Sequence, residues 1–371
     1  NEIPVLSDST LNAKNNKKTL TDSTSKKDKV TRMDKLANTI FLGKDFIVFD
    51  STLRIHYNGL ITLKNFDFNT VDGFVFRQSL SLEQRIDSAH RLKITPGVAY
   101  AFSRERLMWW TDINYSYAPM RRGNLKFHIS GGSADYNSET GIHHTVNSIA
   151  SLFFRRNYMK LYEQHQAFVS NKIDLANGLN MTASVGYQTA SPLLNQSDYS
   201  FFFRNERDYS LNQASDNPDW LSRNVYNEEA LWDVQLEFTP RYYYRIANGE
   251  KRYQHSKYPT LFVRNKMAVP EIAKSTTDYD LFEVGLKQTR EWGMMHAFSY
   301  NIKAGKFLNT NSIFSTDYKY FNNQDLPVLV TDHEDAFRLL PYYRNSTAGE
   351  YAEAHLTFTT TYLIIKYLPF L

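Results

Sequence analysis

The stretch Arg91-Leu-Lys-Ile-Thr-Pro-Gly-Val-Ala-Tyr-Ala-Phe-Ser-Arg104 decides the fold class. Leu92, Ile94, Pro96, Val98, Tyr100 and Phe102 fall on one side of an extended chain, and Lys93, Thr95, Gly97, Ala99, Ala101 and Ser103 on the other. Side chains alternate with period two in a strand and repeat near 3.6 in a helix, so this is a strand. Pro96 has no N–H to give a ladder, which predicts a bulge or a local break in mid-strand.

The pattern spreads in both directions. Phe74, Phe76, Leu80 and Leu82 oppose Arg77, Ser79, Ser81, Glu83 and Arg85. Leu107, Trp109, Ile113, Tyr115 and Tyr117 oppose Asp112, Asn114 and Ser116, and Leu125, Phe127 and Ile129 oppose Lys126, His128 and Ser130. Further alternation runs through 161–173, 179–187, 232–244 and 282–288, then through Phe298, Tyr300 and Ile302, and finally Leu356 and Phe358. Ordinary globular strands run about 5 or 6 residues, whereas a tilted transmembrane strand needs about 9 to 11. Aromatics near strand ends, among them Trp109, Trp110, Tyr117, Tyr242, Tyr243 and Tyr244, suit an interfacial belt. Turns are short at Asp87 and Ser88, at Arg104 and Glu105, and at Ala176 to Gly178, while 135–157 and 191–228 are long. A soluble sandwich or barrel also alternates, but long strands with unequal rims point to the outer-membrane arrangement. The expectation is an all-β protein, a transmembrane antiparallel β-barrel of the outer-membrane type with about 12 to 16 strands.

Composition narrows the function. The 371 residues carry 43 Lys+Arg against 39 Asp+Glu, a net charge of +4, which is too small for a nucleic-acid-neutralising face. With 25 Tyr, 25 Phe and 5 Trp the chain has payload for packing, and with no Cys it has no disulfide, thiolate metal site or cysteine nucleophile. No apolar run reaches the roughly 20 residues of a membrane-spanning helix. Residues 1–40 read as a polar linker or loop without a basic-then-apolar leader, so any signal peptide is removed or lies upstream. Residues 41–371 read as the barrel domain, lacking its last strands.

Three stretches carry a resemblance: Phe66-Asp-Phe-Asn-Thr-Val-Asp-Gly-Phe-Val-Phe76, Ser148-Ile-Ala-Ser-Leu-Phe-Phe-Arg-Arg-Asn-Tyr-Met-Lys-Leu-Tyr-Glu163, and Phe337-Arg-Leu-Leu-Pro-Tyr-Tyr343. They are similar to an uncharacterised outer-membrane β-barrel domain of Bacteroidota that usually follows a carboxypeptidase-regulatory-like domain, an immunoglobulin-like module without peptidase activity. The closing Tyr367-Leu-Pro-Phe370 resembles the Pro-containing turn that precedes the final strands of such barrels. Arg122 and Gly123 sit in a short turn, unlike the long-loop Arg-Gly pair of barrels that assemble or translocate outer-membrane proteins. The resemblance implies a Gram-negative outer membrane, with lipid, lipopolysaccharide and other outer-membrane proteins or surface lipoproteins as partners. It implies a non-enzymatic accessory or scaffold role in assembly, export or uptake, with a passive or gated solute channel and a lipid-modifying enzyme as alternatives. No cofactor is expected.

Candidate residues fall into three groups. Tyr199, Phe201, Phe202 and Phe203, with Tyr209 and Trp220, form an aromatic loop suited to partner contact or to capping. Arg155, Arg156, Lys160 and Glu163 read as an ion-pair cluster or a lipid-phosphate site. Asn69, Asp72, Gly73 and Gly178 read as turn residues, because Asn and Asp bond their own backbone and Gly admits positive φ. The His143–His144 pair lacks a third ligand in register, and Asp332, His333 and Glu334 read as an exposed acidic loop, so no metal site is expected. His165 and Glu163 share a strand face with Ser170 opposite, which speaks against a Ser-His-acid site. Arg77 and Arg85 point to an electrostatically filled interior.

Overall fold

The computed structural model describes residues 39–41, 43–48, 52–137, 142–292, 296–323 and 335–360. Residues 1–38, the 332–334 acidic loop and the 367–370 turn lie outside them. In chain order the elements are β1 (Lys44–Val48), β2 (Leu53–Tyr57), β3 (Phe66–Asn69), β4 (Gly73–Arg85), β5 (Arg91–Ala101), β6 (Arg106–Tyr117), β7 (Gly123–Asp135) and α1 (His144–Phe154). They continue with β8 (Leu161–Ala176), β9 (Leu179–Pro192), α2 (Pro218–Ser222), β10 (Asn227–Phe238), β11 (Tyr244–Ala247), β12 (Glu250–Tyr253), β13 (Thr260–Ala268), β14 (Asp278–Trp292), β15 (His296–Ser312) and β16 (Glu350–Thr360).

Fourteen strands form one antiparallel sheet in the order β1-β2-β4-β5-β6-β7-β8-β9-β10-β13-β14-β15-β16, with β3 paired to β4; β11 and β12 form a separate hairpin. Apart from the intervening β3 and the β11–β12 hairpin, each strand lies beside its neighbour in sequence, and tight turns close most of the pairs. Pro96 sits in a continuous β5: its pairing with β6 is unbroken, but the ladder with β4 lapses between Gly97 and Ile94 and resumes without a register shift. A missing N–H thus costs a gap on one side and no bulge.

The expectation of a closed transmembrane barrel is corrected by this order. Among the described residues β1 pairs with β2 and β16 with β15, and no ladder joins β1 to β16. The sheet is open. Strand alternation reports which face is apolar and carries no information on whether the two edges meet. Membrane embedding required that closure, since an open edge in hydrocarbon leaves N–H and C=O groups unsatisfied. The resemblance to an outer-membrane barrel, the outer-membrane localisation, the lipid, lipopolysaccharide and outer-membrane protein partners, and the scaffold or channel roles are corrected with it. No helix among the described residues is long and apolar enough to cross a membrane.

The two faces differ as the alternation requires. One carries Val98, Trp109, Val169, Trp232, Val263, Val284 and Leu356, all exposed. The other is polar and internally paired: Arg264 bonds Asp233 at 2.7 Å and Glu283 at 3.2 Å, and Lys303 meets Glu353 at 2.8 Å. The strand read through 232–244 stops at Phe238, because Pro240 cannot continue a ladder. Long connections leave at one end of the sheet after β7, β9 and β15; the opposite end has the tight turns after β4, β6 and β8 together with the 239–259 connection that carries β11 and β12.

Candidate functional site

The long connections fold back into a layer, and the turn Asn69-Thr-Val-Asp-Gly73 is its footing. Asn69 Oδ1 accepts from Val71 N at 2.9 Å and Asp72 N at 2.7 Å, and Gly73 turns the chain at φ +70°. A Cβ there would lie 1.9 Å from Ser103 Oγ, so only glycine fits. Asp72 then accepts from Ser133 Oγ at 2.7 Å and meets Arg104 at 3.4 Å, tying the turn to β7.

α1 rests on this turn in an inverted way. His143 caps its start, its side chain accepting from Thr145 N, and Arg155 ends it in a left-handed conformation. The buried residues are Asn147, Ser148, Ala150 and Ser151. Asn147 bonds Asn157 at 2.8 Å and accepts from Tyr158 N at 2.9 Å, and Ser148 Oγ accepts from Phe68 N at 2.8 Å. Ile149, Phe153 and Phe154 consequently point outward. An ordinary surface helix buries its apolar stripe; this one exposes it.

The 193–217 connection packs beside α1. Phe201 N donates to Leu152 O at 2.7 Å, and Tyr209 Oη donates to Ser151 O at 2.7 Å. Asn212 bonds Leu161 through both its backbone groups, at 2.6 and 2.8 Å. On this frame Phe153 meets Phe201 at 5.3 Å and Phe202 at 6.1 Å, and Tyr199 meets Phe201 at 5.7 Å and Phe74 at 5.8 Å. Arg204 covers the Tyr199 ring at 4.6 Å.

The six aromatics of the loop thereby divide. Trp220 is 1 % exposed and donates to Tyr320 Oη at 2.7 Å, inside a core with Tyr136, Tyr162, Ala190 and Tyr343, whereas Phe202 is 57 % exposed. Phe201 and Tyr199 belong with Phe202 on the surface; Tyr209 and Trp220 belong to the interior framework. Phe203 adopts φ +63° beneath Arg207.

The basic group disperses. Arg155 is buried and donates to Asp198 O at 2.8 Å and Ser200 Oγ at 3.0 Å. Lys160 donates to Ser210 Oγ at 2.7 Å and Leu211 O at 2.6 Å, and burial lowers its pKa to about 8. Arg156 lies exposed at the end of α1. Glu163 is drawn to Arg104 at 3.7 Å and His165 at 3.8 Å. Gly178 turns β8 into β9 at φ +77°, with Thr239 O 2.2 Å from where a Cβ would sit.

Chemistry-bearing residues are placed as follows. Ser170 bonds Ser184 at 2.9 Å on the polar face, and His165 is on the other face. His144 lines a cavity of about 190 Å³ with Arg77, Asp72, Trp110 and Gln164, and burial together with the Arg77 charge lowers its pKa to about 4. Arg77 pairs with Asp67 at 2.6 Å. Among the described residues no three His, Asp or Glu side chains gather as a metal site. Sequence reasoning missed the buried acids Glu229 and Asp317 and the half-buried Asp135; for Glu229, polar parity within 227–238 was the available signal.

These features define a broad antiparallel sheet with a layered, aromatic-faced end. The family model described as "Family of unknown function (DUF5686) C-terminal domain" matches residues 37–371, and the chain belongs to that family. No curated protein matches the chain.

Proposed function

We propose that this domain is a non-enzymatic protein-docking module that engages its partner through Ile149, Phe153, Phe154, Tyr199, Phe201 and Phe202. The observation that carries the reading is α1, which spends its Asn and Ser residues on the interior and presents its apolar side chains outward beside three more aromatics. Exposed apolar patches mark interaction sites, and aromatics concentrate in interface cores. The frame is fixed by hydrogen bonds before any partner arrives, so little ordering cost falls on binding. Exposed Arg156 and Arg204 flank the patch, which suits a partner with an apolar groove and an acidic rim.

The test is affinity capture from native extract with wild type and a Phe201→Ser/Phe202→Ser variant. Loss of a stoichiometric partner with unchanged thermal unfolding supports the reading. Undiminished capture of the same partner overturns it.

A further inference from the structure

Residues 313–323, between β15 and β16, cross the polar face as a strap. Lys319 N and O pair with Thr347, and Lys319 Nζ lies 3.7 Å from Glu283 and 3.9 Å from Glu353. Tyr320 Oη donates to Ser315 O at 2.6 Å. At the strap's deepest point the buried Asp317 carboxyl faces that of Glu229, which is fully buried. Glu229 accepts from Tyr279 Oη at 2.8 Å and from Gln188 Nε2. Asp317 Oδ2 accepts from Phe314 N at 3.4 Å, and Oδ1 has no donor.

Among the described residues no Lys, Arg or His forms an ion pair with either acid. Two facing carboxylates in a dry site do not ionise together; one keeps a proton. A proton on Asp317 Oδ1 turns that atom into a donor toward Glu229 and supplies the missing bond. We propose that Asp317 keeps a proton directed at the Glu229 carboxylate, and that this proton latches the 313–323 strap to the sheet, closed while it is held and released when alkali removes it.

The groups facing Asp317 are Glu229 from β10, Lys266 from β13, Tyr279 from β14, Tyr162 from β8 and Tyr320 of the strap itself. Burial first, then the Glu229 charge, hold Asp317 well above the carboxylate range, and Lys266 opposes them. The three tyrosines are raised by burial and stay neutral. A raised carboxyl favours the folded strap at low pH and loses that contribution as the pH climbs through its folded value.

Infrared spectra of the full chain in H2O and D2O at about pH 8 test the latch, since ordinary carboxyls are ionised there. The expected result is an isotope-sensitive protonated-carboxyl band in wild type and in Asp135→Asn, absent from Asp317→Asn and shifted in Glu229→Gln, where burial still favours the Asp317 proton but its acceptor has changed. Hydrogen exchange of 313–323 should then rise with pH in wild type beyond the intrinsic rate and lose that excess in Asp317→Asn. A band missing from wild type or surviving Asp317→Asn, a strap whose pH response survives that substitution, or a stoichiometric divalent cation bound at these acids overturns the proposal.

Discussion

The two ends of the sheet hold an aspartate in opposite ways. At the short-turn end Asp174 receives Arg122 at 2.8 and 3.1 Å, Asn180 at 3.1 Å and Lys251 at 3.5 Å, while Arg122 stacks 4.4 Å from the Tyr253 ring. Burial pushes this carboxyl up, but Arg122, Asn180 and Lys251 outweigh it and leave the pKa below its ordinary value. At the layered end Asp135 accepts only neutral donors, Tyr343 Oη at 2.7 Å and Asn137 N at 2.9 Å. Burial there dominates and raises it to about 7. One residue type thus behaves oppositely because a cation is present or absent.

The largest expected effect lies in the layered end. Trp220→Ala removes the centre of its aromatic core and should cost about 3 to 5 kcal/mol in denaturant unfolding. The short-turn end should keep its hydrogen-exchange protection in that variant, which would show the two ends to be separable units.

Next comes pH. Asp135 is raised, so its contribution is complete below about pH 4 and declines as the pH rises through about 7. Asp174 is lowered, so its contribution is present above about pH 4 and is lost as the pH falls through its folded value. Asp135→Asn should flatten the first slope and stabilise the chain at about pH 8 by on the order of 3 kcal/mol, read by unfolding across pH. An unchanged slope would break the comparison.

Smaller effects sharpen it. Asp174→Ala leaves Lys251 and Arg122 without their acid and should cost about 2 kcal/mol, with the acid-side slope abolished. Gly178→Ala forces a Cβ onto Thr239 O at positive φ and should cost about 1 to 2 kcal/mol by thermal unfolding. Phe201→Ser/Phe202→Ser should change stability by less than about 0.5 kcal/mol per site while abolishing partner capture.

The strands were legible because alternation is a local property. The 91–104 reading became β5, Arg91–Ala101, and the 161–173 and 179–187 readings became the cores of β8 and β9. The β11–β12 hairpin went unread although Asn248 and Gly249, both at positive φ, are a strong hairpin signal. Closure was not legible, since it depends on whether two edges far apart in sequence meet. The split of the aromatic loop was equally hidden: Trp220 and Phe202 are both bulky and apolar, and their burial follows from Tyr320 and α1, remote in sequence. The turn residues Asn69, Asp72 and Gly73 were read from local chemistry, yet nothing local announced that Asp72 would also reach Ser133 and Arg104.

The open order of the sheet is the claim beneath all of this. The chain has no Cys, so introduced pairs report cleanly. A disulfide needs Cα atoms within about 7 Å. Ile302→Cys with Ala354→Cys, adjacent on β15 and β16, should form one readily under mild oxidation. Phe46→Cys on β1, which shares the apolar face of the sheet with Ala354 and Leu356, paired in turn with cysteine at 352, 354, 356 and 358 on β16, should form none. Efficient cross-linking of β1 to β16 at any of these positions would show that the edges meet and would contradict the account.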